Sequence, residues 1–266
     1  MGGFLRMGAL LVVLLAVLPA YAGTADRAGT TFALMADDFI TAFTPLETIV
    51  VQIEGDTVYL DAGASTSAQA GQELVIYRKG EAFSHPITGR PLGRYEDVLG
   101  YAQIRRVHPR FAEALFIPLP DRPRPAPEDG ARITRGRIRV AVTPVLDLTR
   151  NDADLRRLPY MIATMLERSK RFQVVDPLAV NDMLASASVR VEEVLARPER
   201  ASRVARNLEV MGWLVPVILE RRGTTYLDVT WISAVTGTAL FSRRQALVTA
   251  SSSEEQRFPW EPRPED

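Results

Sequence analysis

The chain has 266 residues, of which 47% are hydrophobic, and its 32 Lys and Arg residues balance 32 Asp and Glu residues at a pI near 6.8. The hydrophobic content excludes a wholly disordered protein. The balanced charge excludes a general electrostatic drive towards nucleic acid. Cysteine is absent, which excludes disulfides and lipid attachment through an N-terminal cysteine.

Residues 1–22 carry the pattern of a signal peptide. Arg6 supplies positive charge, residues 9–18 form an apolar core, and Ala20-Tyr21-Ala22 is a small-x-small cleavage site. The apolar run is shorter than the roughly 20 residues that a membrane-spanning helix needs. We therefore predict a periplasmic protein, cleaved after Ala22 and without a stable membrane span, because an exported chain without disulfides fits a bacterial periplasm. An uncleaved anchor is the alternative.

Residues 23–48 are predicted to be a polar lead followed by a short helix. The lead covers residues 23–30, and the helix covers residues 31–43, where Phe32, Met35, Phe39 and Phe43 share one helical face.

Residues 49–118 predict a small antiparallel β-barrel. Apolar residues alternate with polar ones between Gly and Asp turns, which is typical of strands with one buried face. A long loop rich in Pro and Gly, His85 to Gly93, joins two of the strands. The predicted strands cover residues 49–53, 58–60, 74–76, 98–107 and 111–117.

Residues 119–136 repeat Pro among charges and predict a stiff linker. Residues 137–249 then predict an α/β sandwich with a mixed sheet and helices on one face. Its helices begin near Pro159, at Pro177 after a capping Asp176, and over residues 191–210 with a break at Pro198. Its strands cover residues 138–142, 172–175 and 213–219 and a hairpin over 226–247. Residues 250–266 predict a disordered tail, and the fold class is α+β.

The sequence shows no set of catalytic residues. The two histidines, His85 and His108, each precede a proline and have no metal ligand at helical spacing. A nucleophile elbow, an S-x-x-K set, a P-loop and G-x-G-x-x-G are all missing. We predict no cofactor and no metal, and a non-enzymatic protein with protein partners in the cell envelope and no nucleic acid. Oligomerisation is left open.

The remaining candidates are surface residues that contact a partner. In the long loop they are His85, Thr88 and Arg90, for which turn geometry is the alternative explanation. Arg105 and Arg106 lie on a predicted strand, where such charges also discourage aggregation. Trp260 stands in the polar tail, as a short docking peptide or a solvated residue. Trp213 and Trp231 are expected in the core.

Part of the predicted barrel resembles the C-terminal domain of flagellar assembly protein T. The resemblance lies in three segments, 58–63, 71–78 and 86–93, followed by Leu99-Gly100 and Ile104. It covers about 70 residues and implies a small β-barrel in an assembly protein, with the order of the domains reversed.

The second domain is similar in layout to the middle domain of the same flagellar protein. It also looks like the amino-terminal domain of the translocation protein TolB, the curli secretion channel subunit and lipoprotein activators of penicillin-binding proteins. The residues that carry this likeness are 139–144, 171–176 and the hairpin with Thr236-Gly237.

These observations predict a periplasmic assembly or scaffold protein of an envelope machine, with the flagellar basal body as the first candidate. The alternative is a regulator of an envelope enzyme, such as one of cell-wall synthesis. An unrecognised hydrolase is a second alternative.

Overall fold

The computed structural model describes residues 23–149 and 153–249. It confirms the predicted α+β class, because a closed antiparallel barrel precedes a mixed sheet with helices. The predicted signal peptide and the predicted tail lie outside the described residues. Within the described ranges, no helix is long and apolar enough to cross a membrane.

The first helix, α1 (Thr24–Ala42), includes most of the predicted polar lead. Ala25, Ala28 and Gly29 are buried on its early turns. A Cβ added to Gly29 would lie 2.2 Å from the Cε of Met161, so this helix packs closely against the segment that carries Met161. The helix is longer than predicted because its early packing face consists of small residues, which a search for large apolar side chains does not detect.

Six strands close the barrel in the order β1-β2-β5-β4-β3-β6. Inward side chains such as Leu60, Leu74 and Ile104 are fully buried, whereas alternate residues face outward. The strands are β1 (Leu46–Glu54), β2 (Thr57–Leu60), β3 (Glu73–Ser84), β4 (Pro91–Val107), β5 (Ala112–Pro118) and β6 (Gly130–Ile133).

Strand β6 lies within the stretch predicted to be a linker, and it pairs with both β1 and β3. Next to it, Arg78 donates from Nε and Nη2 to the two carboxylate oxygens of Asp129, at 2.8 and 2.7 Å. Repeated Pro predicts an extended backbone but not whether that backbone packs. Here residues 130–133 fill the gap between β1 and β3 and pair with both strands, so the prediction of a linker is wrong for these residues. The domain boundaries themselves stay predictions.

The second half of the chain forms a sheet in the order β12-β11-β10-β7-β9, with β8 paired to β10. Strand β7 runs parallel to β9 and β10, whereas β10, β11 and β12 form an antiparallel meander. The strands are β7 (Ile138–Val142), β8 (Leu146–Asp147), β9 (Phe172–Val175), β10 (Gly212–Arg221), β11 (Thr224–Ser233) and β12 (Ala239–Ala246). The helices are α2 (Leu158–Arg168), α3 (Pro177–Ser186), α4 (Val191–Ala196) and α5 (Pro198–Leu208).

Helix starts follow the predicted signals. The Asp176 carboxylate accepts a hydrogen bond from the Leu178 backbone N–H at 2.9 Å, and Pro177 is the first residue of α3. Pro159 lies at the start of α2, and Pro198 separates α4 from α5.

The prediction that the helices lie on one face of the sheet is wrong. Leu158 and Ile162 of α2 pack on one face, together with α1, whereas Val180 of α3 and Val204 of α5 pack on the other. The chain crosses from β7 to β9 in one direction and from β9 back to β10 in the opposite direction. Because crossovers between parallel strands are right-handed, opposite directions place the helices on opposite faces.

Both predicted core tryptophans are buried, each with 1% exposure. Trp213 contributes to the core under α3–α5 and Trp231 to the core under α1. The Trp231 ring lies 4.3 Å from the ring of Phe43 at the end of α1.

Glu73, the first residue of β3, joins the barrel to the mixed sheet. Its carboxylate accepts hydrogen bonds from the hydroxyls of Ser233 and Thr236, at 2.7 and 2.8 Å. Gly71 has a φ of +89°, and a Cβ there would lie 2.9 Å from the backbone oxygen of Leu240 in β12. The close approach of the two backbones therefore requires glycine at this position.

Candidate partner-binding site

Strands β3 and β4 extend well beyond the barrel as a two-stranded ribbon, residues 78–97, which we call the arm. Strand β3 pairs with β6 as far as Tyr77, and β4 pairs with β5 from Gly100 onwards. Between these points the two strands pair with each other and with no third described strand. About seven residues a strand give the arm a length of roughly 20 Å. A two-stranded ribbon is marginally stable alone and has free edges, so an arm of this length is suited to binding a partner.

The base of the arm is held by a fork of charge-assisted hydrogen bonds. Arg132 of β6 donates from Nη1 and Nη2 to the Glu96 carboxylate at 3.0 and 2.6 Å. Its guanidinium also lies over the Tyr77 ring, 4.3 Å from the centroid. The hydrogen bond from Arg132 holds the pKa of Glu96 below its usual value. The fork therefore ties the base of the arm to β6 where the arm leaves the barrel.

The tip of the arm is an ordered turn. The Nδ1 atom of His85 accepts hydrogen bonds from the backbone N–H groups of Ile87 and Thr88, at 3.2 and 3.3 Å. The backbone N–H of Gly89 donates to the His85 oxygen at 2.9 Å, and Gly89 has a φ of +67°, which favours glycine. These hydrogen bonds hold the backbone of the tip in one conformation, from which Ile87 and Thr88 present exposed side chains.

Large apolar side chains are exposed along the arm. Ile87 at the tip is 89% exposed, and Tyr95, Leu92 and Phe83 are 62%, 50% and 37% exposed. The Phe83 and Tyr95 rings lie 4.9 Å apart. Exposed apolar residues gathered on a protruding element mark an interaction site more strongly than scattered ones do.

The arm is also cationic over its outer part. Residues 79–95 carry Lys79, Arg90 and Arg94 against one carboxylate, that of Glu81. Arg94 donates to the Gly80 backbone oxygen at 3.4 Å. The arm therefore presents aromatic and aliphatic side chains with positive charge around them, a combination typical of contact surfaces for an acidic face.

The structure brings His85, Thr88 and Arg90 together at the tip, where Thr88 and Arg90 are exposed and His85 is half-buried. Arg105 and Arg106 lie elsewhere, on the part of β4 that belongs to the barrel. Arg105 donates to the Gln103 side chain at 3.2 Å, and Arg106 forms an ion pair with Glu113 at 3.5 Å. Trp260 lies outside the described residues. The roles of these residues in partner binding stay predictions.

Sequence reasoning missed the exposed residues that flank the tip. Phe83 and Tyr95 stand among polar residues, so neither gives a strand an apolar face in the period-two pattern. One pattern in the sequence could have identified them. Phe83 and Tyr95 stand at similar distances on either side of the turn, and such a spacing of two aromatic residues indicates a cross-strand pair.

Other polar clusters have structural explanations. The His108 imidazole contacts the Glu113 carboxylate at 2.6 Å and stacks on the Phe111 ring at 4.3 Å, at the turn between β4 and β5. Among the described residues, no group of three or more His, Cys, Asp or Glu side chains is arranged to hold a metal ion.

No protein family model and no curated protein matches this chain. Solved structures with similarity include the LpoB C-terminal domain from Escherichia coli, at 15% identity and a TM-score of 0.36, covering 42% of this chain and 83% of that one. The NMR structure of E. coli LpoB has 17% identity and a TM-score of 0.37, over 43% of this chain and 57% of that one. Lipoprotein GNA1162 from Neisseria meningitidis has 13% identity and a TM-score of 0.34, over 43% and 82%. Similarities this low assign neither an activity nor a partner to the chain.

The resemblance to flagellar assembly protein T is wrong, as is the weaker likeness to TolB. The structures that match include LpoB domains and lipoprotein GNA1162, and no family model supports the flagellar motif. The motif rests on period-two strands and turn glycines such as Gly71 and Gly89, both of which have positive φ. Small barrels of many kinds need the same residues for the same backbone reason, so the motif indicates turns and not ancestry.

Proposed function

We propose that this protein is a non-enzymatic periplasmic binding protein that regulates an envelope enzyme of cell-wall synthesis, with the arm as its contact. The observation that carries the proposal is the arm itself, which projects from a closed barrel and exposes Ile87 almost completely at its tip. A protein that only needed a stable barrel would gain nothing from an unpaired apolar ribbon, because such ribbons promote aggregation.

The choice of cell-wall synthesis rests on the sequence of the second half. Segments 139–144 and 171–176, which resemble lipoprotein activators of penicillin-binding proteins, include most of β7 and all of β9. These two strands are adjacent and parallel in the sheet. The resemblance therefore involves neighbouring strands of one sheet, which supports testing this enzyme class first.

The test is to add the purified protein to a purified peptidoglycan synthase from the same envelope and to measure glycan polymerisation and cross-linking. We expect a change in rate with the wild type and at least a tenfold weaker effect with Ile87→Gln, because contacts at the centre of an interface contribute most of the binding free energy. The matched control is Leu34→Gln, which removes a 62% exposed apolar side chain on α1. An unchanged rate with the wild type across the synthases of the envelope would overturn the proposal. Equal losses in the two variants would exclude the arm as the contact.

A further inference from the structure

A groove lies away from the arm, where β7 and β9 end and α2 and α3 begin. It has a volume of about 430 Å³ and an apolar lining. Tyr160 of α2 and Leu178 of α3 are 45% and 55% exposed there. The prolines that line it are Pro144, Pro159 and Pro177. In open α/β sheets, the carboxyl ends of the parallel strands are the usual place for a ligand.

The lining of the groove suits an extended, proline-rich peptide. Such peptides bind as preformed polyproline II helices on surfaces of aromatic and proline side chains, with little loss of conformational entropy. On the rim, the Asp147 carboxylate is half-buried and accepts a hydrogen bond from the Thr149 backbone N–H at 2.8 Å. The Arg156 guanidinium, which also lines the groove, donates to the Asp154 carboxylate at 2.9 and 2.7 Å. The Asp147 carboxylate is thus placed to attract a cation on the ligand.

The chain carries a segment of this chemistry in residues 257–264, Arg-Phe-Pro-Trp-Glu-Pro-Arg-Pro. It has three prolines, two aromatic residues and two arginines. The prolines favour polyproline II, the aromatics match the apolar lining, and either arginine matches the Asp147 carboxylate.

The described chain ends close to the groove. The Val248 backbone oxygen accepts a hydrogen bond from the Arg27 Nε at 2.7 Å, and its N–H donates to the Thr31 hydroxyl at 3.0 Å. On its other side, the start of α1 meets the start of α2, where Asp26 pairs with Arg157 at 3.9 Å. Only the width of α1, about 10–12 Å with side chains, therefore separates Val248 from the first turn of α2. Residues 250–256 can span about 23 Å when extended, which is sufficient.

We infer that the groove between α2 and α3 is a peptide-docking site and that its occupant is residues 257–264 of the same chain. In such a complex the Phe258 and Trp260 rings would cover Tyr160 and Leu178, and an arginine of the segment would pair with Asp147. The inference stands apart from the regulatory function of the arm, because it involves neither the arm nor a partner.

Disulfide trapping in the full-length chain tests the inference, since the natural sequence has no cysteine. One double variant combines Glu261→Cys with Asn181→Cys on the groove rim. The matched control combines Glu261→Cys with Asn207→Cys, an equally exposed asparagine on α5. Under mild oxidation we expect the first pair to form an intramolecular disulfide at least tenfold faster than the control. Adding Trp260→Ala to the first pair should slow it at least fivefold.

Equal rates for the two pairs would overturn the inference, and so would a rate that Trp260→Ala leaves unchanged. A disulfide that forms only between chains, at a rate that rises with protein concentration, would show that a second copy supplies the segment and would also overturn it. The thermal unfolding midpoint of each variant, measured under reducing conditions, distinguishes these outcomes from misfolding. None of the readouts requires a cell-wall enzyme, so failure here leaves the proposed function intact.

Discussion

The two halves of the β3–β4 pair have opposite surroundings although they are continuous strands. In the barrel half, Leu74 and Ile76 are fully buried and β3 has a partner on each side. In the arm half, the same strands have one partner each among the described strands, and their apolar residues face solvent. A continuous hydrogen-bonded ladder thus belongs to a closed barrel at one end and to an exposed ribbon at the other. The change from barrel to ribbon occurs where Arg132 donates hydrogen bonds to the Glu96 carboxylate.

The largest difference between the halves should appear in core truncations. We expect Leu74→Ala to lower the free energy of unfolding by about 2–5 kcal/mol, because it leaves a cavity in the closed barrel. Phe83→Ala on the arm should cost less than about 1 kcal/mol, because its ring is already partly in water. Denaturant unfolding measures both. Similar losses would mean that the arm is part of the cooperative core.

A smaller effect is expected at the Arg132–Glu96 fork, where the halves meet. Because Arg132 lowers the pKa of Glu96 in the folded protein, the ionised carboxylate stabilises the fold above the unfolded-state pKa of about 4.3. This stabilisation is lost as the pH falls through the lower folded-state pKa. It should be below about 1 kcal/mol, since the side chains of Arg132 and Glu96 are 36% and 32% exposed and screened by solvent.

The measurement compares the wild type with Glu96→Gln from pH 7 down to pH 2. The stability difference should shrink towards the acid end. Glu81→Gln, which removes a carboxylate on the same ribbon without an ion pair among the described residues, is the control and should show little pH dependence. A difference that grows on acidification would contradict the direction of the pKa shift.

The smallest effect is expected at the tip. His85→Ala removes the acceptor for the N–H groups of Ile87 and Thr88, and their hydrogen exchange should accelerate about threefold, the equivalent of one modest hydrogen bond. His85→Asn should restore slow exchange, since an asparagine oxygen can accept from the same two groups. Exchange followed by NMR decides this. Global stability should stay within about 0.5 kcal/mol of the wild type.

The sequence predicted those parts of the fold where a local rule determines the outcome. Asp176-Pro177 starts a helix because the cap and the missing proline N–H act within one turn. Alternating residues in 58–60 and 74–76 became barrel strands because one face is buried. Strand β6 was missed because Gly130–Ile133 follows a proline-rich stretch and gains its structure from β1 and β3, which are distant in sequence.

The turn at the tip of the candidate site could be predicted from the sequence because local residues determine it, whereas the length of the arm could not. The turn residues from His85 to Gly89 predict a loop. The length of the arm, however, depends on cross-strand pairing of polar residues. Such pairing leaves no hydrophobic period to detect. The placement of helices on both sheet faces likewise followed from strand order, which no local pattern contains.

The two hydrogen bonds that Glu73 accepts from the hydroxyls of Ser233 and Thr236 attach one end of β3 to the mixed sheet. The strand that carries the arm at one end carries this bridge at the other, so its twelve residues act as a strut of about 40 Å. The end of β3 opposite the arm thus contacts the turn between β11 and β12, at the margin of the mixed sheet. A partner that pulls on Ile87 would therefore strain the hydrogen bonds between Glu73 and the two hydroxyls, at the opposite end of β3.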